Sequence, residues 1–286
     1  MVTERVGKVR GAGGVELFAR WIGDIDPVIV TLHGGPGASH DYLRPQFDRL
    51  ATGRTILYYD QRGGGQSPAP REAPLDWRTH VADLAAIVRA EARPVPATLL
   101  GFSWGGLLAL LFTLQHPELV ASLALVGPGP AWPEALARYR AEFDRRQAAP
   151  DVIAAREELS RSGLRERDPD AFWRRAFELS VVGYFKDRAR ARNLTPFRVH
   201  SRAQQAVHQS LEGSDLRPRL KDIAVPTLIL HGRYDPVPLD GSETLAAMIP
   251  NARLVVFEDS GHALYAEETE RFVSELGAFL PRCEGE

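Results

Sequence analysis

One cysteine, Cys283, is all that this 286-residue chain carries. A single thiol closes no internal disulfide and supports no cysteine-based metal cluster within one chain. It lies close to the C-terminus, where it reads as a free, exposed thiol without a role, since reactive cysteines need an electropositive niche. Lysine is scarce too: Lys8, Lys186 and Lys221 stand against a large majority of arginines, and asparagine occurs only at 193 and 251. The composition signal of hot habitats is lysine and glutamate rather than arginine, so the bias carries no functional reading. No apolar run reaches the roughly eighteen residues of a membrane-spanning helix. Residues 1–10 are charged and lack the apolar stretch of a secretory signal, so the chain reads as cytoplasmic. The formal charge of −2 gives no bulk attraction to nucleic acid or to a membrane surface. There is no internal repeat and no low-complexity segment.

What is present fits a globular protein: 44% apolar and 25% charged residues, in a length that suits one large α/β domain or a core with an insertion. Val15–Trp21 alternates apolar and polar residues like a half-exposed strand. Val28–Leu32, Thr55–Tyr59, Ala97–Leu100 and Leu123–Val126 are short apolar runs of the kind found in strands buried on both faces. Between them, helical spacing predicts helices at Asp76–Ala92 and Ser103–Gln115. Alternating strands and helices predict a mostly parallel sheet covered on both sides. The alternation stops at Gly127-Pro128-Gly129-Pro130. From Ala131 to Leu220 the pattern is helical and rich in arginine and glutamate, with stretches at Glu134–Arg146, Val152–Arg161 and Asp170–Val182. Strand-like sequence resumes at Thr227–Leu230 and Leu254–Phe257, and a helix at Glu267–Leu280 closes the chain. The expected organisation is a core of residues 1–130 and 221–286 with a helical cap of residues 131–220. The charges of the cap read as solvated helix faces.

Gly101-Phe102-Ser103-Trp104-Gly105-Gly106 matches G-x-S-x-G and sits between a buried strand and a helix, the context a nucleophile elbow requires. Ser103 Oγ would stand at the start of a helix, where free N–H groups and the dipole favour developing negative charge. A serine hydroxyl is a poor nucleophile at neutral pH and needs an adjacent base. Such elbows find their partners in the chain order Ser, acid, His. Of eight histidines, only His262, in Ser260-Gly261-His262, follows both the strand that starts at Thr227 and its acidic turn. His116 and His231 read as packing or capping residues, and His200 and His208 fall in the cap. Asp235, in the turn after Thr227–Leu230, is the expected acid that holds His262 in the proton-accepting tautomer. Asp259 lies too near His262 in sequence for that role. His33-Gly34-Gly35-Pro36-Gly37 follows a strand and brings small residues to the same edge. The N–H groups of Gly35 and Trp104 are the expected oxyanion hole, with Gly34 as fallback. Such donors stabilise a tetrahedral intermediate by about 3–4 kcal/mol each.

Taken together, HGGPG at His33–Gly37, DQRGGGQS at Asp60–Ser67, GFSWGG at Gly101–Gly106, GRYD at Gly232–Asp235 and SGH at Ser260–His262 resemble the proline iminopeptidases, α/β-hydrolases of the S33 peptidase group. The resemblance spans the sheet domain in order and is weak in the cap. It implies an α/β-hydrolase fold, a small peptide substrate losing an N-terminal proline or other small residue, and no metal or cofactor. It also implies that Asp60, Arg62 and Ser67 shape the core beside the site. Family members bind the substrate's ammonium with carboxylates, some from the cap. Here Phe172-Trp173-Arg174-Arg175-Ala176-Phe177-Glu178 is similar to their cap stretch, with Phe177 where a tryptophan is usual, and makes Glu178 the candidate anchor. Pro236 stands where some relatives carry a second carboxylate after the acid. Two other readings stay open: an esterase or small-amide hydrolase using the same three residues, and a non-catalytic binding protein on this scaffold. Serine at 103 argues against relatives of the fold that attack with a carboxylate.

Overall fold

The computed structural model describes residues 2–283. Eight strands form one sheet in the order β1-β2-β4-β3-β5-β6-β7-β8. At one edge, β1 (Glu4–Arg10) and β2 (Glu16–Ile22) pair antiparallel, and β2 runs antiparallel to β4 (Thr55–Tyr59). From β4 onward every pairing is parallel, through β3 (Val28–Leu32), β5 (Ala97–Phe102), β6 (Val120–Val126), β7 (Thr227–Gly232) and β8 (Ala252–Phe257). The central strands are buried on both faces, hence their predominantly apolar runs. Successive side chains serve opposite cores. Val30, Leu99 and Leu123 join one cluster with the helices on that face; Ile29, Leu100 and Ala124 join the other. The strand β1 was not expected. Of its residues only Val9 is buried, so the edge carries almost no apolar signal.

Helix α1 (Trp77–Glu91) starts at Asp76, whose carboxylate accepts the N–H groups of Arg78 and Thr79 at 2.9 and 3.2 Å. Its face Val81–Leu84–Val88 packs into the first core. Helix α2 (Trp104–Gln115) is buried from Trp104 to Thr113, which explains an apolar sequence without a polar face. A Cβ at Gly105 would lie 2.0 Å from the Leu32 carbonyl oxygen, so glycine lets the start of α2 press onto the end of β3.

Between β6 and β7 lie α3 (Pro133–Gln147), α4 (Pro150–Arg161), α5 (Leu164–Arg167), α6 (Pro169–Val181) and α7 (Ser201–Ser210), with no strand among the described residues. Arg146 of α3 ties this insertion to the core. It pairs with Glu142 at 2.7 Å and donates to the carbonyls of Gly183 at 3.0 Å and Tyr234 at 2.6 Å. After β7 come α8 (Leu239–Met248), α9 (Leu264–Glu267) and α10 (Thr269–Phe279); Phe272 and Leu276 of α10 fill the second core. Arg54 is a buried cation. Its guanidinium donates to the carbonyls of Leu50 (3.0 Å), Leu280 (3.2 Å) and Pro281 (2.8 Å), and burial lowers its pKa to about 10. Cys283, expected as a frayed exposed thiol, is half-buried, because its N–H donates to the Gly53 carbonyl at 2.9 Å.

Candidate active site

Ser103 sits between β5 and α2 with φ 53° and ψ −119°, the one non-glycine positive φ among the described residues. Such backbone costs on the order of 1–3 kcal/mol and persists only where its surroundings enforce it. Here its N–H donates to Val126 O at 2.9 Å, and its carbonyl accepts the N–H groups of Gly106, Leu107 and Gly129. A Cβ at Gly101 would meet the Gly105 carbonyl oxygen at 2.4 Å, so the turn closes only around glycine.

The His33–Gly37 loop lies over the serine. A Cβ at Gly34 would come within 2.8 Å of Ser103 Cβ. The N–H of Gly34 donates to the Tyr42 hydroxyl at 2.7 Å and is therefore already engaged, which removes the fallback assignment. The N–H groups of Gly35 and Trp104 have no acceptor among the described residues, and both residues line the cavity beside Ser103. Gln61 braces the two sides of this arrangement. Its side-chain amide donates to His33 O at 2.9 Å and accepts the Trp104 indole N–H at 2.7 Å, while its backbone N–H donates to His33 Nε2 at 3.0 Å. His33 Nδ1–H then donates to Gly34 O at 2.9 Å. Burial holds the His33 ring below its ordinary pKa, so it stays neutral in this role.

The rest of the DQRGGGQS segment is spent inside the core. Asp60 accepts from the backbone N–H and Nδ1 of His40 and from the N–H of Gln66. Arg62 forks onto Asp83 at 2.6 and 2.9 Å, and Ser67 Oγ accepts the Phe18 N–H.

Asp235 follows β7 and is buried. Its Oδ1 accepts the Val237 N–H at 2.7 Å and its Oδ2 lies 2.7 Å from His262 Nδ1. The carboxylate has no proton to give, so Nδ1–H is the donor and Nε2 is left as an acceptor. A Cβ at Gly127 would crowd this pair at 3.1–3.2 Å, and its φ of +48° demands glycine as well. The imidazole packs between Phe102 (4.9 Å between ring centres) and Tyr184 (5.1 Å), and the His262 N–H donates to Tyr184 O at 2.7 Å. Ser103 and His262 line one cavity, though no hydrogen bond joins them among the described residues. Bonds of that kind often tighten only when substrate is present. Asp259, set aside on the sequence, pairs at the surface with Lys186 at 2.5 Å. His231 is a packing residue: its Nε2–H donates to Val237 O, and its Nδ1 accepts the Ser242 hydroxyl.

The cavity holds about 740 Å³. The end of β5 contributes Phe102, helix α2 contributes Trp104 and Leu107, and the insertion contributes Trp132, Tyr139 and Phe197. Its single lining carboxylate among the described residues is Glu212. Glu178, the expected ammonium anchor, is not brought there. Helix α6 turns it toward Arg174 (3.3 Å) and Arg175 (2.9 Å), while Phe177 packs on the cavity-lining Phe197. Helical spacing of 3 and 4 places both arginines on the same side as the glutamate, and two cations claim its charge.

The α/β-hydrolase fold family matches residues 27–269, the whole span from β3 to the start of α10. The chain belongs to the α/β-hydrolase family. Among the relatives of this hydrolase, a proline iminopeptidase of Heyndrickxia coagulans is 30% identical, covering 89% of this chain and 90% of that one. A proline iminopeptidase of Saccharolobus solfataricus is 27% identical over 88% of this chain and 84% of its own. In three dimensions the hydrolase resembles an esterase from Exiguobacterium antarcticum, with a TM-score of 0.72, 26% identity, and 96% and 99% of the two chains covered. Tyr42, Gln61 and Tyr184 belong to its site and were not singled out from the sequence. Each acts through a backbone group or a distant partner, and no local motif marks that.

Proposed function

We propose that this α/β hydrolase is a serine hydrolase that cleaves ester or amide bonds of substrates with an apolar acyl part. The observation that carries the reading is His262, bonded to Asp235 at 2.7 Å, lining the same mostly apolar cavity as a serine held at positive φ. In the first step His262 Nε2 takes the Ser103 proton as Oγ adds to the substrate carbonyl. The oxyanion is received by the N–H groups of Gly35 and Trp104. Collapse expels the alcohol or amine, which takes the proton from His262, and leaves an acyl-enzyme. Water, deprotonated by the same imidazole, then releases the acid and frees Ser103. No step draws on a metal or cofactor.

A second reading, release of N-terminal proline or another small residue, is favoured by the relatives named above. It needs a carboxylate for the free ammonium. Glu178 is held by two arginines, so Glu212, on the cavity wall, is the better candidate.

Fluorophosphonate labelling and a panel of p-nitrophenyl acyl esters and prolyl-β-naphthylamide separate the readings. The wild type should label at Ser103, and Ser103→Ala should lose both labelling and turnover. A wild type that neither labels nor hydrolyses any member of the panel refutes the hydrolase reading. Turnover confined to free-amine substrates and reduced selectively by Glu212→Gln establishes the second reading over the first.

A further inference from the structure

Glu267, at the end of α9, is a buried carboxylate that the proposed reaction does not use. Its Oε1 accepts the N–H groups of Lys186 and Asp187, both at 3.0 Å, and its Oε2 accepts the N–H of Gly261 at 2.7 Å. These donors come from two places. Lys186 and Asp187 lie in the helical insertion, and Gly261 immediately precedes His262. The same two segments touch again through the His262 N–H, bound to Tyr184 O, and through the Tyr184 ring against the imidazole. Their backbones meet directly: a Cβ on Gly261 would lie 2.4 Å from Tyr184 O and 3.0 Å from Lys186 N. Arg190, also in the insertion, donates to the backbone carbonyl of Glu267 at 2.8 Å.

A carboxylate is withdrawn from water at this depth only when its lone pairs are filled. Glu267 fills them with three backbone N–H groups that have no other acceptor here. Glu268 next to it serves a different purpose, receiving the Ser260 hydroxyl at 2.6 Å within the histidine loop itself.

We propose that Glu267 is a positioning residue, whose carboxylate clasps residues 184–187 of the insertion to the loop that carries His262, so that the seat of the imidazole depends on the insertion being docked. The proposal rests on the reading of His262 as general base. The insertion then does more than roof the cavity. It supplies, through Tyr184 and the Glu267 clasp, part of the frame that aims Nε2 at Ser103.

Glu267→Gln tests this, because it keeps the size and one acceptor but sets an amide NH2 against the backbone donors. Turnover of p-nitrophenyl acetate is measured per fluorophosphonate-labelled site, so that unfolded molecules do not count. The expected result is a kcat lower by about 10–100-fold, the scale of a small misplacement of a reacting group, with KM unchanged and with partial recovery in Glu267→Asp. A structural role alone would lower the melting temperature and leave kcat per labelled site intact, and that outcome, or a change in KM only, overturns the proposal. Should Glu267→Gln fail to fold, Asp187→Pro removes one donor from the insertion side, and the same two outcomes decide. Labelled wild type with unaltered kcat in the variant defeats the clasp alone; wild type that neither labels nor turns over defeats the hydrolase reading with it.

Discussion

The hydrogen bond between Asp235 Oδ2 and His262 Nδ1 does one chemical thing: it decides which ring nitrogen carries the proton. Asparagine at 235 would keep the shape and present an NH2 group to Nδ1. The ring would then carry its proton on Nε2, facing the serine, and could not accept another. Asp235→Asn is therefore expected to lower kcat by about 10⁴-fold while the thermal melt barely moves. Steady-state kinetics on any turned-over ester, beside a melting curve, check both halves. Gln61 shows a second economy at this scale. One side chain fixes the loop carrying Gly35 and the indole of Trp104, so the two free N–H groups are held in mutual register by a residue that touches neither of them.

At the scale of elements, the insertion is fastened to the sheet domain at named points, and Arg146 is one of them. Its guanidinium reaches the carbonyl of Tyr234, the residue before Asp235, as well as Gly183. Arg146→Met keeps much of the aliphatic stem and deletes the charged hydrogen bonds. The expected cost is about 2–3 kcal/mol, read as a lower melting temperature, with a fall in kcat/KM because the turn bearing Asp235 loses a support. How much of this was legible in the sequence follows from the kind of signal each element emits. The runs Val28–Leu32 and Thr55–Tyr59 match strand boundaries residue for residue, because burial on both faces leaves only the small threonines Thr31 and Thr55 among apolar and aromatic residues. G-x-S-x-G could be placed on a strand–helix turn because only glycines tolerate the backbone approaches there. Strand β1 and helices α7 and α8 gave weaker signals, being exposed or carrying breakers such as Gly241 within the helix. The placement of Glu178 away from the cavity has a reason visible in the sequence: Arg174 and Arg175 stand four and three residues before it and pair with it. Glu267 was invisible because its partners are backbone groups, two of them some 80 residues upstream, and backbone groups have no sequence signature.

For the whole molecule, the interior holds several imidazoles that cannot easily take up a proton. Burial pushes His80 down to about 4, and it lowers His33 and His231 from the usual 6.5 as well. Below pH 6.5 the unfolded chain protonates these rings while the folded chain keeps His80 neutral until about pH 4. The unfolded state then binds more protons, so stability is lost as pH falls through that window. For His80 alone the effect is on the order of 3 kcal/mol. Urea midpoints at pH 7, 5.5 and 4.5 should fall in sequence, and His80→Leu, which has nothing to titrate, should flatten the decline. A midpoint independent of pH across that range would show that these rings gain protons as readily inside the fold as outside.

Arg54 makes the tail of the chain a counterpart for an interior cation. Two of the three carbonyls that solvate its guanidinium belong to Leu280 and Pro281, beyond the last helix, in a stretch that looks dispensable by its position alone. Ending the polypeptide at Phe279 would leave a positive group in the core with one acceptor in place of three. The shortened protein should be less stable by about 3–5 kcal/mol, the cost of stranding a buried charge, and Arg54→Met in that shortened chain should restore much of the loss. A purification tag fused directly after Leu280 would displace Pro281 and press on the same spot.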